Sequence, residues 1–164
     1  MTMNTNDSIF HEAILKLLAE IFDGPAGDEA YILNPGDGGL LRQLESIPAA
    51  AASRRPAPDR PPIAAHTDHV LYGLSLLNRW SAGEENPWAG ADWNASWRVE
   101  RVTEEEWRAR VARLREAAHA WREALARRQD WDEVAAAGSM ASVAHTAYHL
   151  GAIRQILGVV ASGA

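Results

Sequence analysis

Apolar residues recur at three- and four-residue steps in four long stretches of the chain, the spacing that puts them on one face of an α-helix. The first stretch runs from Asn6 to Asp23, with Phe10, Ile14, Leu17, Leu18 and Ile21 on its apolar face. Gly24-Pro25 ends it, since neither residue continues a helix well. The second starts at Pro61 or Pro62, residues suited to a first turn, and runs to Ser81. Ile63, His66, Val70, Leu74 and Leu77 share its inward face, with Ala65, His69, Tyr72 and Leu76 beside them. The third opens on Thr103 followed by Glu106. That pair is a capping box, in which hydroxyl and carboxylate each accept from the other's backbone amide. Trp107, Val111, Leu114, Ala118, Trp121 and Leu125 form its stripe, and it ends near Arg128. The last runs from Ser139, after Gly138, to Val160, with Ser142, His145, His149, Ala152, Ile153 and Ile156 along one side.

The intervening chain is of two kinds. Residues 24–60 read as an irregular connection lying over the helices, with one short helical candidate from Gly39 to Ile47. Residues 82–102 form a polar loop with three tryptophans, Trp88, Trp93 and Trp97. Tryptophan rarely stays fully in water, so this loop is expected to fold down against the helices. No β-rich run and no internal repeat is present. Four amphipathic helices that are weak alone bury their stripes most simply as a four-helix bundle. The expected fold is therefore all-α, one domain over residues 1–164, with a long first crossover.

Composition narrows the function classes. The chain has no cysteine, which excludes disulfides and thiolate metal sites. Its formal net charge is −6, and the arginines between Arg98 and Arg128 are interleaved with acids. Nucleic acid would favour a basic stripe without acidic partners, so no nucleic-acid partner is expected. No run reaches the roughly 18 apolar residues of a membrane span. Met1 to Phe10 lacks the basic-then-apolar pattern of a secretory signal. A cytoplasmic protein with no membrane partner is expected.

Six histidines remain: His11, His66, His69, His119, His145 and His149. His145 and His149 are four apart, which puts both on one helix face and lets them approach one ion. His66 interrupts the inward stripe of the second helix and is the natural third donor. His69, three residues on, is open to three readings: a fourth ligand, a hydrogen-bond partner of a ligand, or a proton carrier beside the metal. Asp68 is rotated away toward the surface. Tyr148 either edges the pocket or packs ordinarily. His11 begins His-Glu-Ala-Ile-Leu, but Leu15 stands where a zinc-protease motif needs histidine. Glu116 and His119 have a di-iron spacing without the second pair that such sites need. His11 and His119 are expected at the surface. Three neutral nitrogens without thiolate suit Zn, Ni or Fe(II). Three protein ligands would leave a coordination position open, as catalytic sites do.

The stretch Ile63-Ala-Ala-His66-Thr-Asp-His69, followed by His145-Thr-Ala-Tyr-His149-Leu-Gly-Ala-Ile-Arg-Gln155, resembles the DinB/YfiT-like superfamily of metal-dependent four-helix bundles. His145 and His149 match that family's histidine pair, with Gly151 and Gln155 following. His66 matches its lone histidine, and His69 stands at a position the family leaves variable. The resemblance implies a divalent metal ion on His66, His145 and His149, a helical crossover and often a homodimer. Relatives include mycothiol-dependent maleylpyruvate isomerase and bacillithiol S-transferases, so it also implies a low-molecular-weight thiol. The resulting expectation is a metal-dependent S-transferase or hydrolase acting on a small electrophile. The alternative is a non-catalytic, metal- or ligand-binding stress-response bundle, which a saturated site including His69 would favour.

Overall fold

The structure is a computed structural model and describes residues 5–162. Residues 1–4 of the Met1–Phe10 stretch, together with Gly163 and Ala164, lie outside the described residues. Six α-helices form among the described residues: α1 Thr5–Asp23, α2 Gly39–Glu45, α3 Ala49–Ala52, α4 Ile63–Ser81, α5 Glu104–Ala126 and α6 Glu133–Ser162. A 3-10 turn, Ala95–Arg98, interrupts the loop before α5. No strand occurs among the described residues. The all-α expectation holds, and no helix among these residues is long and apolar enough to cross a membrane.

The four long helices make a ring in which α1 and α4 each lie against both α5 and α6. α5 and α6 follow one another in sequence but face each other across the bundle. Trp121 bridges that diagonal: its ring is fully buried and its Nε1–H donates to Ser142 Oγ at 3.1 Å. The predicted α5 stripe is buried throughout, from Trp107 to Leu125. Its capping box is formed, with Thr103 N–H donating to Glu106 Oε2 at 2.7 Å and Glu106 N–H donating to Thr103 Oγ1 at 3.2 Å.

Two departures from the sequence expectation have local causes. α6 begins at Glu133, about a turn and a half before Ser139. Asp132 Oδ1 accepts the Ala135 N–H at 2.7 Å and so starts the helix there. Gly138 is then carried inside the helix at a propensity cost of about 1 kcal/mol, and ends nothing. The connection over 24–60 also holds more structure than expected, because α3 forms from the alanines after Pro48.

That crossover is fastened at several points. Gly24 and Gly39 have φ of +99° and +68°, and a Cβ on Gly39 would lie 2.5 Å from Gly24 N. Only glycine lets the end of α1 and the start of α2 meet so closely. Glu20, only 4% exposed, accepts the backbone N–H groups of Tyr31, Ile32 and Leu33 at 2.7 to 3.1 Å. Trp107 Nε1–H donates to Ile47 O at 2.7 Å, tying the crossover to α5. Arg154 donates to Asp37 Oδ1 at 2.7 Å, tying it to α6.

Burial raises the Glu20 carboxyl pKa, but the amides of Leu33, Ile32 and Tyr31 lower it further, and the net direction is down. The folded state therefore favours the carboxylate, and its contribution is lost as pH falls below the ordinary value of 4.5. Glu20→Ala is expected to cost about 2 kcal/mol at neutral pH in urea unfolding, because charge-assisted bonds to backbone amides are lost. Glu20→Gln should cost less, since its carbonyl oxygen can still accept. Equal losses for both variants would show that the carboxylate charge, rather than its acceptor geometry, holds the loop.

Candidate metal centre

α4 and α6 are neighbours, and the four histidines the sequence places on them meet between them. The rings of His145 and His149 stand 4.6 Å apart between centroids, and His69 lies 5.0 Å from each. His66 lies 5.2 Å from His149 on another side. His69, His145 and His149 each offer one ligand atom, and these atoms all fall within 4.8 Å of one another. His66 is not in that convergent set. Its Nδ1 lies 3.0 Å from His149 Nδ1, so the fourth imidazole sits behind His149.

Hydrogen bonds decide where the free lone pairs are. Ser96 Oγ donates its single proton to Trp93 O at 2.8 Å. It can then only accept from His69 Nδ1, 2.8 Å away. His69 therefore carries its proton on Nδ1 and presents a bare Nε2. His149 has two ring contacts, Nδ1 to His66 Nδ1 at 3.0 Å and Nε2 to His145 Nε2 at 3.1 Å. Neutral His149 has one proton for these two contacts. When His66 accepts it, His149 Nε2 is left bare beside His69 and His145.

All four rings are driven toward the neutral form. His149 is pushed down to about 3, by burial first and then by the nearby His145, His66 and His69. His69 is pushed down to about 4, again by burial first, then by His145 and His66, with Asp68 opposing. Burial also lowers His66 and His145. Neutral imidazole is the form that binds metal. The donor set therefore fits a divalent ion of the borderline class.

The loop over 82–102 completes the wall. Asp92 Oδ1 accepts the N–H groups of Asn94 and Ala95, both at 3.1 Å, which starts the 3-10 turn. That turn lowers Ser96 and Trp97 onto α4. Trp97 stacks on His69 with centroids 4.3 Å apart and meets His66 edge-on at 5.1 Å. Nothing in the local sequence marks Ser96 as a partner of a histidine 27 residues earlier. Gly73 is the other residue the sequence left unmarked. It packs directly against the His145 ring, since a Cβ there would lie 3.4 Å from His145 Cε1, in ordinary contact.

The remaining candidates fall away from the cluster. Asp68 turns to α5 and accepts from Arg110 Nε at 2.9 Å. Tyr148 is 70% exposed, although its ring edge meets His149 at 5.0 Å. His119 is exposed, as expected. His11 is half-buried rather than exposed, because the Trp131 ring covers it at 5.7 Å.

A family model described as the DinB superfamily matches residues 39–153 of the chain. That span is well over half of it and contains all four clustered histidines, so the chain belongs to the DinB superfamily. No curated protein and no solved structure matches it.

The lowered histidine pKa values give the metal-free protein a pH signature. The unfolded chain binds protons near 6.5, whereas folded His69 resists them to about 4. Stability is therefore full above 6.5 and falls as pH drops through that window. Denaturation midpoints of chelated protein should decline between pH 6.5 and 5, above the main carboxylate range. His69→Gln should flatten that decline. An identical slope in the variant would mean His69 does not carry the effect.

Proposed function

We propose that this member of the DinB superfamily is a metal-dependent enzyme that holds one divalent ion, Zn, Ni or Fe(II), on His69, His145 and His149. The observation that supports this reading most strongly is the convergence of three neutral imidazole nitrogens within 4.8 Å. Three buried histidines and a half-buried fourth without a shared ligand would be a costly way to fill a core. His66 is then a positioning residue. By accepting from His149 Nδ1 it holds the bare Nε2 toward the centre, the outer support that metal-bound histidines commonly have. Ser96 does the same for His69.

A divalent ion here supplies Lewis acidity, which makes a water or a small thiol a better nucleophile at neutral pH. No fourth side chain converges with the three nitrogens among the described residues, which favours a centre with an open position over a closed staple. The reaction class is transfer of a low-molecular-weight thiol, or of water, onto a small electrophile. Trp93 and Trp97 lie against His69 and limit the water around it.

Metal analysis of four variants tests the ligand set. His69→Ala, His145→Ala and His149→Ala should each bring bound metal close to background after dialysis. His66→Ala should retain metal with roughly 10- to 100-fold weaker affinity, the usual effect of removing an outer support. Loss of metal in His66→Ala with full retention in His69→Ala would exchange their roles. No metal in the native protein, with unchanged melting on chelation, would reject the centre.

We also propose a homodimer through the outer face of α6. Met140, Tyr148 and Val159 are exposed there at 52%, 70% and 38%. No exposed position from Val134 to Val159 carries a charge, although exposed helix faces ordinarily do. Sedimentation should give a dimer for the native chain and a monomer for Tyr148→Glu. A native monomer would reject this interface.

A further inference from the structure

A cleft of about 350 Å³ opens beside the histidine cluster, between α4, α6 and the tryptophan loop. Its walls are Val70, Leu74 and Leu77 from α4, with Trp88 and Trp93 from the loop, and His145 lies at one end. No lysine, arginine, aspartate or glutamate lines it. Two hydroxyls do, those of Ser142 and Thr146, but both donate to backbone carbonyls, Ser139 O at 2.7 Å and Ser142 O at 2.8 Å. The ring edge of His145 facing the cleft is the one carrying Cε1 and Nδ1. Those are the atoms beside Gly73, which itself lines the cleft.

We propose that this cleft binds the electrophilic substrate, and that the substrate is an uncharged aromatic or alicyclic molecule of about two rings with one hydrogen-bond-accepting head. As a substrate site it rests on the metal-centre reading above. As a binding site it stands on the cleft alone. The size follows from the volume, since a dry cavity of about 150 Å³ holds a single benzene ring. The lack of charge follows from the walls. A charge on the body of the molecule would lose its water here and meet no countercharge, a penalty that apolar walls cannot offset. Two indole rings and three aliphatic side chains instead favour a flat apolar body. The head belongs at His145. When its Nε2 lone pair is given to the metal, the ring carries its proton on Nδ1, and that N–H is a donor beside Gly73 at the cleft. The substrate's carbonyl, ether or hydroxyl oxygen accepts from it and so comes to lie beside the three nitrogens.

Calorimetric titration at neutral pH with 2-naphthol and 6-hydroxynaphthalene-2-sulfonate tests this. The two probes share the head and the ring system, and differ by a charge on the far ring. The neutral probe should bind at least tenfold tighter, to both the metal-loaded and the chelated protein. Gly138→Leu should abolish that binding without lowering the melting temperature. Gly138 lines the far end of the cleft, where a Cβ meets nothing nearer than Leu77 Cδ2 at 4.0 Å. Equal or tighter binding of the sulfonate would overturn the proposal, as would no saturable binding of 2-naphthol to either form, or unchanged binding in Gly138→Leu. Binding of 2-naphthol by a protein that takes up no metal would sustain the cleft as a binding site while rejecting the metal centre. Metal uptake without binding would do the reverse.

Discussion

Between α4 and α6 four imidazoles share a space too dry for a proton to charge them readily. Burial is the leading cause of the lowered pKa at each of the four. A neutral imidazole has one N–H and one lone pair, so every contact fixes the next. Ser96 takes the His69 proton because its own is committed to Trp93 O. His66 and His145 compete for the single His149 proton. The orientation of His66, His69 and His149 thus depends on a partner from a different element, and that of His145 on His149 of its own helix. The bundle, the crossover and the tryptophan loop all serve to hold those partners in place.

The fastening of the two long connections follows from that need. A crossover of nearly forty residues could wander over the bundle. Instead Glu20 gathers three of its amides, Arg154 holds Asp37, and Trp107 holds the Ile47 carbonyl. The second connection is held by Asp92, by the aromatic rings laid on α4, by Ser96 against His69, and by the Val102 N–H donated to Ser53 Oγ at 3.0 Å. The apolar cleft lined by Trp88 and Trp93 lies beside it.

Much of this was legible in the residues. The α5 stripe and its capping box needed only periodicity and a four-residue motif, because both are short-range. The His145–His149 pair was legible for the same reason, since four residues on a helix is a fixed distance. Gly138 was misleading. Glycine disfavours a helix by only about 1 kcal/mol, and the Asp132 cap with its alanine-rich first turns outweighs that. His11 was placed outside because Trp131, 120 residues away, could not be foreseen above it.

By itself the sequence determined that four helices form, which face of each is apolar, and that four histidines lie on two of those faces. Helical periodicity dictates all of this within one turn or two. On the inward stripe of the second helix it pointed to His66 rather than His69 as the third donor. They sit three residues apart, about 60° around the helix, and straddle the inward direction. Which of them meets the His145–His149 pair depends on how α4 is rotated against α6 and on where the loop over 82–102 comes to rest. Only tertiary structure decided that, turning His69 to the pair beneath Trp97 and setting His66 behind His149.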